Sequence, residues 1–123
     1  MCIYKNLLVY SNLVFVIAFI YLLFNKKNHE CIMLLLIGII SALYHTYETD
    51  HLYLLDVFVA ISIFIFLYLK YKANFNYVPL LILLLYYIVT YISYYYNIKA
   101  YSIMHTLWHL FVCIYVVHII MKC

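Results

Sequence analysis

Long apolar runs separated by short polar clusters divide this chain into five pieces. LLVYSNLVFVIAFIYLLF, over about 7–24, is closed by NKKNHE, and CIMLLLIGIISALYHT, over about 31–46, runs into YETD. LYLLDVFVAISIFIFLYLK, over about 52–70, carries one acid near its start and is closed by YKANFNY. A fourth run covers about 78–96, with Pro79 where a first helical turn tolerates a missing N–H, and a fifth covers about 101–121. A helix crosses the hydrocarbon core of a bilayer with roughly 20 apolar residues, about 17 to 25 being tolerated. The pattern therefore predicts an all-α, multi-pass transmembrane helical bundle of about five helices in a single domain. Backbone in lipid must satisfy its own hydrogen bonds, and connections of roughly 4 to 8 residues force neighbouring helices to alternate in direction. The first run is long for a signal-peptide core, and no A-x-A-like site precedes NKKN, so it reads as a retained helix.

Composition narrows the class. With 72% hydrophobic residues, a mean hydropathy of +1.10, one Gly and one Pro in 123 residues, an ordinary soluble domain is excluded. The formal charge of +3 comes from lysines flanking the runs, which gives no reason to invoke nucleic acid. There is no arginine, so the lysines set the orientation. An external N-terminus puts Lys26, Lys27, Lys70, Lys72 and Lys122 on the cytosolic side and leaves Lys5 and Lys99 opposite, which predicts a lumenal or extracellular N-terminus and a cytosolic C-terminus. Tyr44, Tyr47, Tyr53, Tyr91, Tyr94, Tyr95, Tyr96 and Tyr101 crowd the outer ends, as interface anchors do. Cys2, Cys31, Cys113 and Cys123 have no paired spacing and are expected to be free thiols.

Polar residues inside the spans are expensive and point to function. Gly38, Ser41 and His45 stack on one face of the second span; Asp56 lies about one turn into the third, with Ala60 one turn further. Thr90, Ser93 and Asn97 form a stripe on the fourth, and Ser102, His105, His109 and Cys113 form one on the fifth. In an alternating bundle the end of the second span and the beginnings of the third and fifth share one side of the membrane. His45, His105, His109, Asp56 and Ser41 therefore converge at similar depth, on the non-cytosolic side by the lysine count.

Three neutral imidazoles with a fourth position left for water describe a catalytic zinc site, and two histidines at i, i+4 reach one ion. Zn²⁺ lowers the pKa of its water toward about 7 and polarises a carbonyl, so the natural chemistry is hydrolysis. Asp56 would orient the water or act as general base, and Ser41 would support the bound oxygen. Singly, each has a plainer role: an intramembrane His is often a helix-to-helix hydrogen-bond partner, and Asp56 at a helix start can brace the N-terminus.

Ser41-x-x-Tyr44-His45, Asp56 within LYLLDVFVA, and His105-x-x-Trp108-His109 near the start of the last span resemble the three signature blocks of the CREST superfamily of membrane hydrolases. That group includes alkaline ceramidases, progestin and adipoQ receptors, GPI-lipid remodelling proteins and myomaker relatives. The resemblance implies zinc held by His45, His105 and His109, with Ser41 and Asp56 as its partners, and amide hydrolysis of a membrane lipid, a ceramide or other sphingolipid, as in the ceramidase branch. The family has seven spans; with five, two of the three helices between the Asp block and the HxxxH block are missing, which preserves the side on which the residues meet. A lipid pocket in so thin a bundle is expected to open to the bilayer or to be completed by a second copy.

Two other readings accompany the hydrolase. A myomaker-like membrane organiser or fusion factor would keep the pocket for structure, and a haem protein would use the histidines axially, although an i, i+4 pair beside a carboxylate suits a compact ion better. Glu48, Asp50 and His51 read as a solvated turn, and His29 and Glu30 as loop residues. His118 stands about 13 Å of helical rise from His109 and belongs to another site or to none.

Overall fold

The ends of the helices are decided by capping side chains that lie outside the apolar runs. In the computed structural model, which describes residues 2–122 without the side chain of Cys2, the chain forms α1 (Cys2–Tyr10), α2 (Leu13–Phe24), α3 (Asn28–Tyr47), α4 (Asp50–Tyr71), α5 (Tyr77–Tyr96) and α6 (Ile98–Met121). Thr49 caps α4 by accepting from the Leu52 amide at 3.3 Å, and Asn76 caps α5 by accepting from Val78 at 3.1 Å. Asn97 ends α5 and starts α6, its side chain accepting from the Lys99 and Ala100 amides. Glu48 closes α3 in a left-handed conformation (φ 53°), its amide donating to Tyr44 O at 2.7 Å.

Helices consequently run on into polar segments, and all connections between spans but the one from α4 to α5 are shorter than the 4 to 8 residues that hydropathy suggests. Only Glu48 and Thr49 join α3 to α4, and a 3₁₀ turn (Lys72–Asn74) leads through Phe75 and Asn76 to α5. His29, Glu30, Asp50 and His51, expected in loops, are helical. Five helical stretches are long and apolar enough to cross a membrane: Ile3–Phe24, Asn28–Tyr47, Asp50–Asn74, Tyr77–Tyr96 and Ile98–Met121. The fold is the expected all-α bundle of one domain.

The first stretch is interrupted at Ser11 and Asn12. Here the amides of Asn12, Val14 and Phe15 reach back three residues, to Val9, Ser11 and Asn12, tightening the helix locally. The side chains compete for the same backbone: Ser11 Oγ donates to Leu8 O at 2.7 Å and the Asn12 amide donates to it at 3.1 Å. Both residues are buried. Gly38 of α3 packs against this break. A Cβ built on it would stand 2.9 Å from Phe15 Cβ and 3.5 Å from Asn12 O, so the two backbones approach only because that carbon is missing.

The core lies where α2, α3 and α6 meet. Leu22, Leu34, Ile119 and Ile120 are fully buried there with Phe15, Ala18, Cys31 and Cys113, and Ile63 and Leu67 of α4 join them. Between helices in lipid such packing stabilises chiefly through dispersion contacts, since lipid tails are as apolar as leucine. Cys31 and Cys113 are free thiols; Cys123 and the Cys2 side chain, also expected to be free, lie outside the described residues.

Glu30 is the departure with most structural weight. It is 2% exposed in the first turn of α3, where it accepts from Lys70 Nζ and, at 2.6 Å, from the Tyr71 hydroxyl. This ionic contact ties the start of α3 to the end of α4. Nearby, the Asn74 amide donates to Ile119 O and Lys122 O at 2.9 Å each, and Tyr115 donates to Asn76 O at 3.0 Å. The lysine-rich end of the bundle is thus braced by polar side chains.

At the other end the helices part. α4 packs on α3 and α5 on α6, but α4 and α5 make little contact with each other although they are sequence neighbours. Gly38→Leu is expected to destabilise the bundle by about 1–3 kcal/mol, the usual cost of overpacking. Thermal unfolding in detergent, with circular dichroism as the readout, measures it; an unchanged midpoint would show that the α2–α3 approach has slack.

Candidate metal centre

His45 lies in the last turn of α3, and His105 and His109 lie one turn apart in the first half of α6. Their rings meet edge to face, with centroids 5.1 Å apart for His45 and His105, 4.6 Å for His105 and His109, and 5.8 Å for His45 and His109. One ring nitrogen from each falls within 4.8 Å of the other two. His45 and His109 are buried and His105 is partly so. The three predicted ligands are therefore brought together by two helices that are far apart in sequence.

Their hydrogen bonding shows what they are free to do. His45 Nε2 and His105 Nδ1 are buried with no hydrogen-bond partner, a rare condition for polar atoms. His109 Nδ1 is engaged at 2.7 Å by Ser11 Oγ, leaving its Nε2. Three imidazoles that each bring a nitrogen within 4.8 Å of the other two, two of the rings carrying a buried nitrogen with no partner, fit a divalent metal ion, and the cluster can hold one.

The centre faces a cavity of about 1130 Å³ that lies between α4 and α5 and is backed by α3 and α6. Ser41 and Asp56 both line it, Ser41 buried one turn before His45 and Asp56 half-buried near the start of α4. Asp56 stands outside the histidine group, on α4. The predicted residues thus share one chamber, with the histidines clustered and the carboxylate apart.

Tyrosine supplies much of the polar lining. Tyr44, Tyr53, Tyr91, Tyr94, Tyr95 and Tyr101, which the sequence presents as interface anchors, all border the cavity, whereas Tyr47 and Tyr96 do not. The rings of Tyr101 and His105 lie 5.2 Å apart, and Tyr87 packs on Trp108 at 5.2 Å. Glu48 and Asp50 are exposed, as a solvated turn would be, and also line this end of the cavity, with Lys5 pairing to Glu48 at 3.6 Å. His51 and His118 do not line the cavity; His118 borders a separate apolar groove between α5 and α6.

Away from the histidines the lining becomes apolar: Ile37, Leu34, Ile63, Leu67, Leu83 and Val116 lead to Phe75. Phe75 is buried in edge-on contacts with Phe64, Tyr68 and Tyr115 and closes that end. From Asp50 to Leu67 along α4 is about 26 Å at 1.5 Å per residue, close to the thickness of a hydrocarbon core of about 30 Å. The chamber is polar at one end and apolar over the rest of a membrane-deep length.

Ser11 is the member of the site that sequence reasoning passed over. It sits in the first span, ninety-eight residues from His109, and its only sequence signal is a polar Ser-Asn pair inside an apolar run. Compared with models of known families, with curated proteins and with solved structures, the chain matches none.

Elemental analysis of detergent-purified chain is expected to give about one divalent metal ion per protein, and none for folded His105→Ala, His109→Ala. Because protons compete for imidazole nitrogens, the metal should be retained at neutral pH and lost below about pH 6. Full occupancy at pH 4.5 would exclude imidazole ligation.

Proposed function

We propose that this protein is a zinc-dependent intramembrane hydrolase acting on the amide or ester of a membrane lipid, a sphingolipid such as ceramide. The observation that carries the reading is the joining of two features: three imidazoles that fit an ion, and a cavity with a polar end beside them and an apolar length suited to an acyl chain. The resemblance of the Ser41–His45, Asp56 and His105–His109 blocks to the CREST superfamily supports the same chemistry.

Zinc bound by His45, His105 and His109 would supply Lewis acidity toward a carbonyl and toward water. The rest of the work falls to the chain's own side chains. The apolar walls bind the hydrocarbon chain and place its carbonyl near the imidazoles, away from bulk water. Asp56, which lines the same cavity as the histidines, accepts the proton of the attacking water and returns it to the leaving group. The Ser41 hydroxyl donates to the carbonyl oxygen as charge builds on it. Tyrosine hydroxyls around the rim supply donors and acceptors for a polar head group. With the lysine-rich end facing the cytosol, the rim faces the lumen or cell exterior.

The separation of α4 from α5 favours substrate entry sideways from the bilayer, with no second copy needed to form the chamber. The non-catalytic organiser makes the opposite prediction for activity. In detergent or liposomes, purified protein should release fatty acid from a ceramide or another acyl lipid, and chelation should abolish release. Asp56→Asn should lower turnover by about 10²–10⁴-fold, the range for a lost general base, while metal content stays near that of the parent. Metal-loaded protein inert toward a panel of amide and ester lipids would favour the organiser.

A further inference from the structure

We infer that Ser11 is a positioning residue for the metal centre, selecting the ring tautomer in which His109 presents Nε2 to the ion. The inference rests on the metal-binding reading above and extends the site to the first membrane span, to which neither the histidine motif nor its spacing points.

The argument is a count of protons. A serine hydroxyl has one hydrogen to donate and lone pairs to accept with. Ser11 Oγ stands 2.7 Å from Leu8 O, a carbonyl that only accepts, so the hydroxyl hydrogen is committed there. The second contact, 2.7 Å to His109 Nδ1, therefore has Ser11 as acceptor and the imidazole as donor. His109 carries its hydrogen on Nδ1, and the lone pair is left on Nε2. Metal-bound imidazoles commonly donate their other N–H in this way, which fixes ring orientation and raises the basicity of the ligating nitrogen.

The local backbone is shaped for this bond. Ser11 lies in the three-residue tightening between α1 and α2, and Gly38 lets α3 press against the same break. The hydroxyl is buried, so no competing water replaces its contact with the ring. His109 is thus the ligand whose second ring nitrogen is held by a buried hydroxyl.

The experiment uses the full chain in detergent micelles. Zn²⁺ affinity is measured by competition with a chelating dye for parent, Ser11→Ala and Ser11→Thr, with circular dichroism and gel filtration confirming the fold. Loss of the acceptor in Ser11→Ala is expected to weaken Zn²⁺ binding about 10–100-fold, and Ser11→Thr, which keeps the hydroxyl, is expected to restore it to within a few-fold. Parent-like affinity in Ser11→Ala would overturn the inference and leave the metal centre standing; a parent that binds no Zn²⁺ would overturn both. Should Ser11→Ala fail to fold, ¹⁵N NMR of metal-free parent labelled at histidine decides the matter. His109 protonated at Nδ1 supports the inference, and protonation at Nε2 overturns it.

Discussion

A polar group in hydrocarbon has no water to fall back on, and the arrangement of this bundle follows from that constraint. Backbone groups are satisfied within helices, and several buried hydroxyls return to the carbonyl a turn before them, as Thr90 does to Tyr86 and Ser102 to Ile98. The polar side chains that remain collect in two places. At the lysine-rich end, Glu30 and Lys70 neutralise each other, the Tyr71 hydroxyl donates to the same carboxylate, and α3 is held to α4. At the opposite end the histidines, Ser41, Asp56 and a ring of tyrosines face a shared cavity. One end is built to be stable, and the other keeps donors and acceptors available to a visitor.

The two ends differ because their packing differs. α2, α3 and α6 interlock around Leu22, Leu34 and Ile119, and Gly38 brings two of them into backbone contact. α4 and α5 are mostly exposed and each leans on one partner, α3 or α6. A bundle whose outer helices make little contact with each other encloses a membrane-deep cavity with five spans. The chamber keeps its ligand side chains on the tightly packed members and offers the looser pair to the lipid.

Much of this is written in the sequence. Hydropathy alone finds the five helices, and the alternation of helix direction brings His45, His105 and His109 to one side of the membrane. Helix ends were less legible because caps such as Asn97 and Thr49 override the apolar boundary. Glu30 looks like a loop acid until Lys70, forty residues later, is seen to fold against it. The tyrosines illustrate a different limit: the aromatic rule puts them at the right depth and says nothing about whether they face lipid or a cavity. Ser11 is hidden for a topological reason. Its partner lies on the last helix, and no periodicity within the first span reveals which neighbour that face will meet.

The order in which the chain leaves the ribosome gives the α1–α6 contact another meaning. Two ligands reside on α6, the third on α3, and the serine that braces His109 comes from the first span, which packs against α6. Until the last helix has entered the membrane, no subset of its predecessors can assemble the centre. Capture of an ion at this centre would therefore wait for α6 to enter the membrane: with α1 to α5 alone, His45 is the one member of the cluster in place.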